Sequence, residues 1–336
     1  MKPIILISLL LVLFAVLFPF VTALNFPLPV PDAEPEASPE SVETSSIVPQ
    51  SPIDDSVSVR LLTGGEIKTL PMSDYLIGVV GAEMPASFET EALKAQAVAA
   101  RTYTLYKMLV SPSSNHPDAD VCDDPACCKA YADDAELLEK WGARYGQYRD
   151  KIASAVAETD GQCLLYEDEP ILAVFHSSSC GSTEASENVW SDALPYLRQV
   201  TSPETAADVP EYFSTVLVAF SDFKETVLEV YPNAVFGDDK STWITDTSFT
   251  ESGRLDSACI GGVTVSGTEI RTLFALRSAA VEISVTEDSV VFRTTGYGHG
   301  VGMSQYGSNV LAEQGYDYKE ILLHYYTGAT IGTAAK

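Results

Sequence analysis

A continuous apolar run at the start of the chain separates a part that can enter a membrane from a part that can fold in water. Ile4 to Val21 contains Ser8 as its only polar side chain, and Lys2 is the only charge before it. A run of this length can span a bilayer with its start held inside. We therefore predict an uncleaved transmembrane anchor over residues 1–24 and an extracytoplasmic location for the rest. The alternative is a cleaved signal peptide, because small residues at positions 21–23 have the spacing of a signal-peptidase site.

The next stretch, residues 25–56, is rich in proline, glutamate, aspartate and serine and has no hydrophobic period. Such a segment cannot bury enough apolar surface to fold, which predicts a disordered linker. Residues 57–332 are long enough for a sizeable core in one large domain or in two closely packed ones. The formal net charge of −27 argues against nucleic acid and anionic lipid as the main partners, since neither presents a basic surface.

Strands and helices alternate irregularly in this part of the chain. The pattern predicts an α+β fold, a single mixed domain with short sheets and flanking helices around a groove, rather than a doubly wound sheet. Predicted strands cover Val57–Leu62, Ile67–Leu70, Gln162–Tyr166, Ile171–His176, Phe213–Phe220, Val281–Val285 and Val290–Thr294. Predicted helices cover Ser73–Glu83, Glu91–Leu109, Asp133–Ala157, Asp222–Val230, Gly267–Leu276, Ser304–Gln314 and Tyr318–Tyr326.

Glu83 lies at the end of the first predicted helix and is the candidate for the chemistry. Leu76 and Val80 share one face of that helix, and Pro85 ends it because the residue before a proline is pushed out of the α region. Glu83 therefore occupies the last turn, where the negative end of the helix dipole favours a protonated carboxyl group. A general acid must hold its proton near neutral pH, which suits this position. The alternative is an ordinary solvated glutamate.

Two cations of the second predicted helix, Lys94 and Arg101, are seven residues apart and so share a face. Their spacing suits either the positioning of a polar substrate or an ordinary solvated surface.

Residues 296–302 have glycine at every second position. In an extended segment these glycines would share one bare face, suited to the floor of a groove, while Tyr297, His299 and Val301 project from the other.

A run of small polar residues follows the strand predicted to end at His176. It supplies several hydroxyl groups, the His176 imidazole and Cys180 as a candidate nucleophile. The alternative is a serine- and threonine-rich turn that satisfies its own backbone.

Three of the six cysteines cluster with a histidine in one short stretch. His116, Cys122 and Cys128 supply one nitrogen and two sulfurs, which suits zinc with a further group completing the tetrahedron. The spacing matches none of the common zinc-finger patterns. In an oxidising compartment the alternative is disulfides, for example Cys163 with Cys180 across the predicted hairpin.

Five blocks of the sequence together resemble the stage II sporulation protein D family, which is joined to the LytB amidase-enhancer proteins. In chain order they are Tyr75-Leu-Ile-Gly-Val-Val-Gly-Ala-Glu-Met-Pro85, Glu91-Ala-Leu-Lys-Ala-Gln-Ala-Val-Ala-Ala-Arg-Thr102, Phe175-His-Ser-Ser-Ser179, Val189-Trp190 before Leu194-Pro-Tyr-Leu197, and Gly298-His-Gly-Val-Gly-Met-Ser-Gln-Tyr-Gly307. The resemblance runs from about residue 57 to Gly328 and covers nearly all of the folded part.

The resemblance implies a membrane-anchored peptidoglycan lytic transglycosylase that acts during forespore engulfment in sporulation. In that family the glutamate of the Glu-Met-Pro block is the catalytic acid, which is Glu83 here. It also implies zinc ligands at His116, Cys122 and Cys128 in some members, with Cys127 as a competing sulfur. The implied partners are glycan strands without stem peptides, a sporulation amidase (stage II sporulation protein P) and a membrane protein (stage II sporulation protein M).

A lytic transglycosylase needs one carboxylate, whereas most glycoside hydrolases need two. Glu83 would protonate the oxygen between N-acetylmuramic acid and N-acetylglucosamine and then accept the proton of the muramic C6 hydroxyl. The side chains expected to position the glycan are Lys94, Arg101, His176, Ser177, His299, Gln305 and Tyr306.

Two other functions stay open. One is a glycan-binding module that stimulates a partner amidase without catalysis, and the other is a cysteine peptidase that uses Cys180 and His299.

Overall fold

The computed structural model describes residues 52–190 and 192–333. The predicted membrane anchor at residues 1–24 lies outside the described residues, as does most of the predicted linker. Within the described ranges, no helix is both long enough and apolar enough to cross a bilayer. The last five residues assigned to the linker belong to the fold, because Asp54–Ser56 forms a 3-10 helix and the Asp54 side chain is buried.

The first half of the described chain opens with a hairpin that leads into two consecutive helices. Its elements are β1 (Ser58–Thr63), β2 (Glu66–Pro71), α1 (Met72–Glu83), α2 (Thr90–Leu109), β3 (Val121–Cys122), α3 (Asp134–Trp141), α4 (Tyr145–Glu158), β4 (Gln162–Tyr166), β5 (Glu169–Pro170) and β6 (Phe175–His176). Strand β1 pairs antiparallel with β2 and parallel with β3, and β4 pairs antiparallel with β5.

The second half contains two three-stranded antiparallel sheets and ends with two helices and a strand. Its elements are β7 (Phe213–Ala219), α5 (Phe220–Val230), β8 (Ile244–Phe249), β9 (Leu255–Ile260), β10 (Val263–Ser266), α6 (Gly267–Leu273), β11 (Val281–Val285), β12 (Ser289–Thr295), β13 (Met303–Ser304), α7 (Gln305–Glu313), α8 (Tyr318–Tyr325) and β14 (Thr330–Thr333). The sheet orders are β11-β12-β7 and β10-β9-β8. Strand β13 pairs parallel with β6, and β14 pairs antiparallel with β4.

Helix α2 lies at the centre of the first hydrophobic core. From Ala92 to Thr104 every residue except Lys94 is buried, and most of them are alanines or other apolar residues. A helix that is apolar all round has to be covered on all sides. Helices α1 and α4 from the first half and α7 and α8 from the second pack around it. The two ends of the described chain therefore close over one core.

A second core lies within residues 213–295, which we call the second lobe. Its centre is aromatic: Phe223 stacks on Phe274 with ring centroids 5.1 Å apart, and Phe274 stacks on Phe292 at 4.8 Å. Trp243 and aliphatic side chains of β9 and β12 complete it. The second lobe is inserted between β6 and β13, two strands that pair with each other in the first core.

The α+β class predicted from the sequence is confirmed, and three local differences have physical causes. The predicted helix Asp133–Ala157 is two helices, since Gly142 has a φ of +53°. Only the end of the predicted strand Ile171–His176 is a strand, β6, which pairs with β13, while β4 pairs with β5 just before the predicted span. Strands β8 to β10 were not predicted, because polar residues interrupt their alternation and β8 contains an irregular register.

Candidate functional site

Glu83 is the last residue of α1, as the sequence predicts. Met84 takes an extended conformation with φ −121° and ψ 142°, and Pro85 follows it, so the helix cannot continue. Buried side chains on α1, among them Leu76 and Val80, fix the helix in the first core. The position of the carboxylate therefore depends on a packed helix end rather than on a mobile loop.

Two groups from the chain after β3 bind the end of α1. The Ala130 N–H donates to Glu83 Oε1 at 2.9 Å. The Lys140 ammonium donates to the carbonyl oxygens of Gly81 and Ala82 at 2.8 and 3.0 Å, and this charge offsets the negative end of the helix. Within the described residues Glu83 Oε2 accepts no hydrogen bond, so this oxygen is available to carry a transferable proton.

Glu83 lines a pocket of about 380 Å³, a volume typical of small-ligand sites. The lining residues are Glu83, Pro125, Cys128, Lys129, Phe175, His176, Ser177, Arg271, Tyr297, Gly298, His299 and Gln305. Glu83 is the one carboxylate among the described residues that line it. Residues far apart in the sequence meet here, since β6 and the start of α7 are held together by the pairing of β6 with β13. Four of the seven predicted substrate-binding residues belong to the lining.

The two histidines of the pocket have different surroundings. His176 is buried, its Nδ1 lies 3.2 Å from the Val301 carbonyl oxygen and its Nε2 lies 2.7 Å from Ser179 Oγ. A carbonyl oxygen only accepts, so Nδ1 carries the proton and Nε2 accepts from the Ser179 hydroxyl. Burial lowers the pKa of His176 well below its usual value. With both nitrogens satisfied, His176 fits a role in fixing the pocket wall.

His299 is half-buried and accepts a hydrogen bond from the Val301 N–H at Nδ1, 3.0 Å away. Its neutral ring therefore carries the proton on Nε2. Burial lowers the pKa of His299 to about 3, and the positive charges of Lys129 and Arg271 act in the same direction. The Trp190 ring lies beside it with centroids 5.3 Å apart. At neutral pH His299 is thus an uncharged group placed in the pocket.

Lys129, which no sequence motif indicated, also lines the pocket. Its ammonium lies 3.7 Å from the centroid of the Phe175 ring and 4.6 Å from that of Tyr103, so two aromatic faces surround the charge. Burial lowers the pKa of Lys129 to about 8, while the negative charge of Glu83 acts in the opposite direction. The only sequence signal for this residue was its place directly after the cysteine pair.

Gln305, Ser177 and Tyr306 lie at the junction between β6 and α7. The side-chain Nε2 of Gln305 is buried and has no hydrogen-bond partner among the described residues. The Tyr306 N–H donates to the Ser177 carbonyl oxygen at 3.0 Å, and the Tyr306 ring packs edge-on against Phe88. Tyr306 therefore lies next to the pocket without lining it, whereas Gln305 lines the pocket and keeps an unpartnered amide nitrogen.

Lys94 and Arg101 lie outside the pocket lining. Arg101 is almost completely buried and forms a two-pronged ion pair with Asp54, with Nη2 to Oδ2 at 2.6 Å and Nε to Oδ1 at 2.9 Å. Lys94 forms ion pairs with Glu91 at 2.8 Å and Glu158 at 2.7 Å. These contacts occupy both cations, so their placement does not support the role in substrate positioning predicted from their spacing.

The glycines at 296, 298, 300 and 302 have φ values between +72° and +115°, which side chains rarely adopt. A Cβ on Gly298 would lie 2.7 Å from His176 Cβ, and one on Gly302 would meet the Val174 carbonyl oxygen. The prediction of an extended segment with a bare glycine face was therefore wrong. Gly296, Gly298 and Gly302 are needed because this segment runs against residues 174–179, and this close approach places His299 beside His176. A Cβ on Gly300 would instead meet the Arg254 guanidinium.

The predicted metal ligands come together, and a fourth joins them. The donor atoms of His116, Cys122, Cys127 and Cys128 all lie within 4.8 Å of one another. Tetrahedral zinc with Zn–S bonds of about 2.3 Å needs sulfurs about 3.8 Å apart, so the cluster fits this metal. His116 Nδ1 lies 3.1 Å from the Ala119 carbonyl oxygen, which keeps the proton on Nδ1 and leaves Nε2 free to bind a metal.

Cys180 is a half-buried free cysteine whose Sγ lies 3.8 Å from the Ser252 carbonyl oxygen. The disulfide with Cys163 considered above is therefore not formed. Cys180 does not line the pocket, and within the described residues no hydrogen bond joins it to His299. The structure gives no support to a peptidase with these two residues as nucleophile and base.

The fold and the pocket define an α+β protein with a single-carboxylate site beside a cysteine and histidine cluster. A family model described as "Stage II sporulation protein" matches residues 63–166. Stage II sporulation protein D of Bacillus amyloliquefaciens is 38% identical over 285 residues, which are 85% of this chain and 80% of the relative. The same protein of Bacillus subtilis (strain 168) is 37% identical over 279 residues, 83% of this chain and 79% of the relative. The chain belongs to the stage II sporulation protein D family.

A more distant similarity connects the chain with a protein of a different name. "Amidase enhancer" of Bacillus subtilis (strain 168) is 28% identical in an alignment of 307 residues that covers 76% of this chain and 40% of that relative. The sporulation family and this relative therefore share sequence across most of the folded part.

Proposed function

We propose that this protein is a peptidoglycan lytic transglycosylase that cleaves bonds between N-acetylmuramic acid and N-acetylglucosamine in glycan strands. The observation that carries the proposal is that Glu83 is the one carboxylate among the described residues lining the pocket. A hydrolase that retains or inverts configuration usually needs two carboxylates across the scissile bond. A transglycosylase needs one, because the sugar supplies its own nucleophile.

The reaction proceeds with one residue acting twice. Protonated Glu83 gives its proton to the glycosidic oxygen as the bond from that oxygen to muramic C1 breaks. The muramic C6 hydroxyl oxygen then bonds to C1, and its proton passes to the Glu83 carboxylate. The products are a 1,6-anhydro end and a free N-acetylglucosamine hydroxyl, with no water consumed. The Ala130 N–H on Oε1 holds the carboxyl group in one orientation throughout.

Neutral donors in the pocket position the sugar. The Gln305 amide has an unpartnered buried Nε2, and the neutral His299 ring carries its proton on Nε2. Both suit the acetamido and hydroxyl groups of a glycan, which bind by hydrogen bonds rather than by charge. His176 and Ser177 contribute the wall on which these groups rest.

We further propose that His116, Cys122, Cys127 and Cys128 hold a structural zinc ion. Four protein ligands close the coordination sphere, so bound zinc supplies a cross-link and not a reactive water. Cys128 is two residues from Ala130, whose N–H binds Glu83. The cluster therefore orients the segment that holds the catalytic carboxyl group.

The test of the enzymatic proposal is mass spectrometry of amidase-treated peptidoglycan after incubation with the soluble protein from about residue 52. Anhydromuramic ends should form with the wild type and vanish with Glu83→Gln, which keeps the shape of the side chain and its acceptor for the Ala130 N–H. Cleavage that survives in Glu83→Gln contradicts the role of Glu83, and reducing ends show a hydrolase instead.

The second candidate is a glycan-binding module that stimulates a partner amidase. The similarity to the protein named "Amidase enhancer" favours it. Under this alternative the purified protein binds stem-peptide-free strands without ever shortening them, and Glu83→Gln stimulates the amidase as well as the wild type does.

We propose that residues 1–24 anchor the protein at the septal membrane with the described domain outside the cytoplasm. The amidase and the membrane protein implied by the resemblance, stage II sporulation proteins P and M, are proposed as its partners. Co-purification of the full-length chain from membranes tests both points.

A further inference from the structure

One cation of the pocket has no hydrogen-bond or ion-pair partner among the described residues. Arg271 lies on α6 of the second lobe, and its half-buried side chain lines the pocket that contains Glu83. Its Nε is buried and donates no hydrogen bond to a described residue, and no described carboxylate lies within ion-pair distance. Burial lowers the pKa of Arg271, as expected for a guanidinium that lacks a compensating anion.

Three other buried or half-buried arginines donate from their guanidinium groups to described residues, although Nε of Arg254 and Nε of Arg277 also lack a partner there. Arg101 is paired with Asp54, and Arg277 with Glu211 at 2.7 Å. Arg254 donates from Nη1 to the Ser182 carbonyl oxygen and to Ser252 Oγ at 3.0 and 2.9 Å. Keeping a charge partly out of water without a partner is costly, so a guanidinium left in this state inside a pocket indicates a binding site for an anion.

The surroundings of Arg271 favour an anion from outside the protein. His176 and His299 are near enough for its charge to lower their pKa values, and both are neutral. Lys129, the other cation of the lining, has the aromatic rings of Phe175 and Tyr103 around it. A planar guanidinium binds a carboxylate or a phosphate in a two-pronged geometry that an ammonium cannot match, so a substrate carboxylate fits this site.

Building on the proposed function, we propose that Arg271 binds the lactyl carboxylate of an N-acetylmuramic acid residue. That carboxyl group forms an amide with the stem peptide in intact peptidoglycan and becomes a free carboxylate once an amidase removes the peptide. Arg271 thereby makes the enzyme specific for strands that have already lost their stem peptides. It is a specificity-determining residue for a reaction whose acid is Glu83.

A carboxylate in peptidoglycan has two sources, the lactyl group and the stem peptide itself. Three glycan preparations separate them: amidase-treated strands, amidase-treated strands whose lactyl carboxylates have been coupled to methylamine, and strands with intact stem peptides. The first carries the lactyl charge, the second carries neither charge, and the third carries only the peptide charges.

The experiment measures binding of the three preparations by proteins that carry Glu83→Gln, so that no cleavage occurs during the measurement. Adding Arg271→Gln should weaken binding of amidase-treated strands by roughly 10- to 100-fold, as for loss of hydrogen bonds to a charged group. Binding of methylamidated strands should change less than about twofold, because the lost interaction is absent there already. Arg271→Lys, which keeps the charge but not the fork, should restore part of the preference. The matched control is Arg293→Gln, an exposed arginine on β12 of the same lobe, which should leave all three affinities unchanged.

Equal loss of binding to charged and methylamidated strands would overturn the proposal, since it shows a structural role for Arg271. Loss confined to strands with intact stem peptides would also overturn it, because the bound carboxylate would then belong to the peptide. The outcome is separable from that of the cleavage reaction. If the wild-type protein forms no anhydromuramic ends, the proposed enzymatic function is refuted. The charge preference in binding still decides the role of Arg271 in that case.

Discussion

Replacement of Asp54 by asparagine is expected to lower the free energy of unfolding by about 3–5 kcal/mol, the usual cost of removing one partner from a buried ion pair. Asp54 is 2% exposed and Arg101 is 1% exposed, and the two share a two-pronged contact of 2.6 and 2.9 Å. The remaining contacts of Arg101, to the carbonyl oxygens of Gln162 and Val156 and to the Thr159 hydroxyl, are neutral and cannot balance its charge. The variant therefore leaves a buried guanidinium without an anion.

For a domain of this size each kcal/mol lowers Tm by roughly 2–4 °C, so Asp54→Asn should melt roughly 6–20 °C below the wild type. Differential scanning calorimetry of the protein from residue 52 onward measures this directly. The matched control is Glu211→Gln, which removes the carboxylate of the Arg277 pair at a side chain that is 80% exposed. That change should cost less than about 1 kcal/mol.

Two results would refute this reasoning. A Tm of Asp54→Asn within about 2 °C of the control shows that the pair does not stabilise the fold as a buried pair should. An unchanged Tm combined with a large loss of glycan binding shows that Arg101 acts on the substrate, as its spacing from Lys94 first suggested.

Three further predictions concern the pocket and the metal cluster. The folded protein keeps His299 neutral down to a pH of about 3, whereas in the unfolded chain this histidine takes up a proton below its pKa of about 6.5. The free energy of unfolding should therefore be highest above pH 6.5 and fall by about 2 kcal/mol by pH 5. His299→Gln should flatten the dependence of Tm on pH over that range, and an identical slope contradicts the assignment. Chelation should lower the Tm of the wild type, and Cys127→Ser should abolish this response whereas Cys259→Ser, outside the cluster, should not. Gly302→Ala should destabilise the protein far more than Gly315→Ala, because a Cβ at Gly302 meets the Val174 carbonyl oxygen. Gly315→Ala is the control, since a Cβ there meets no atom and costs only about 1 kcal/mol of backbone strain. Equal losses of Tm would show that the contact with Val174 does not matter.

Local patterns predicted the helices with good accuracy. The stop at Pro85, the helix after Glu89 and the strand Val281–Val285 depend on residues close in sequence, so their signals are complete in the chain itself. The strands β8 to β10 and the short extent of β6 were missed, because pairing partners decide strands and the partner of β6 lies far away in sequence.

The candidate site was recognised only in part for the same reason. Glu83, His299 and Gln305 belong to motifs that are visible in the sequence, and the structure places all three on one pocket. Arg271 belongs to no motif, and it reaches the pocket because the second lobe is inserted between two paired strands. Arg101 is the opposite case, since a cation on a helix face looks available to a substrate until its buried partner Asp54 is known.

The sequence by itself determined the class of the fold, the end of α1 at Glu83 and the grouping of His116 with three nearby cysteines. These follow from backbone sterics and from ligands that lie close along the chain. Only the tertiary structure decided which charges are free. Pairing and burial take Lys94 and Arg101 out of the site and leave Arg271 unpaired within it, because the free energy of a charge depends on the neighbours that folding brings to it.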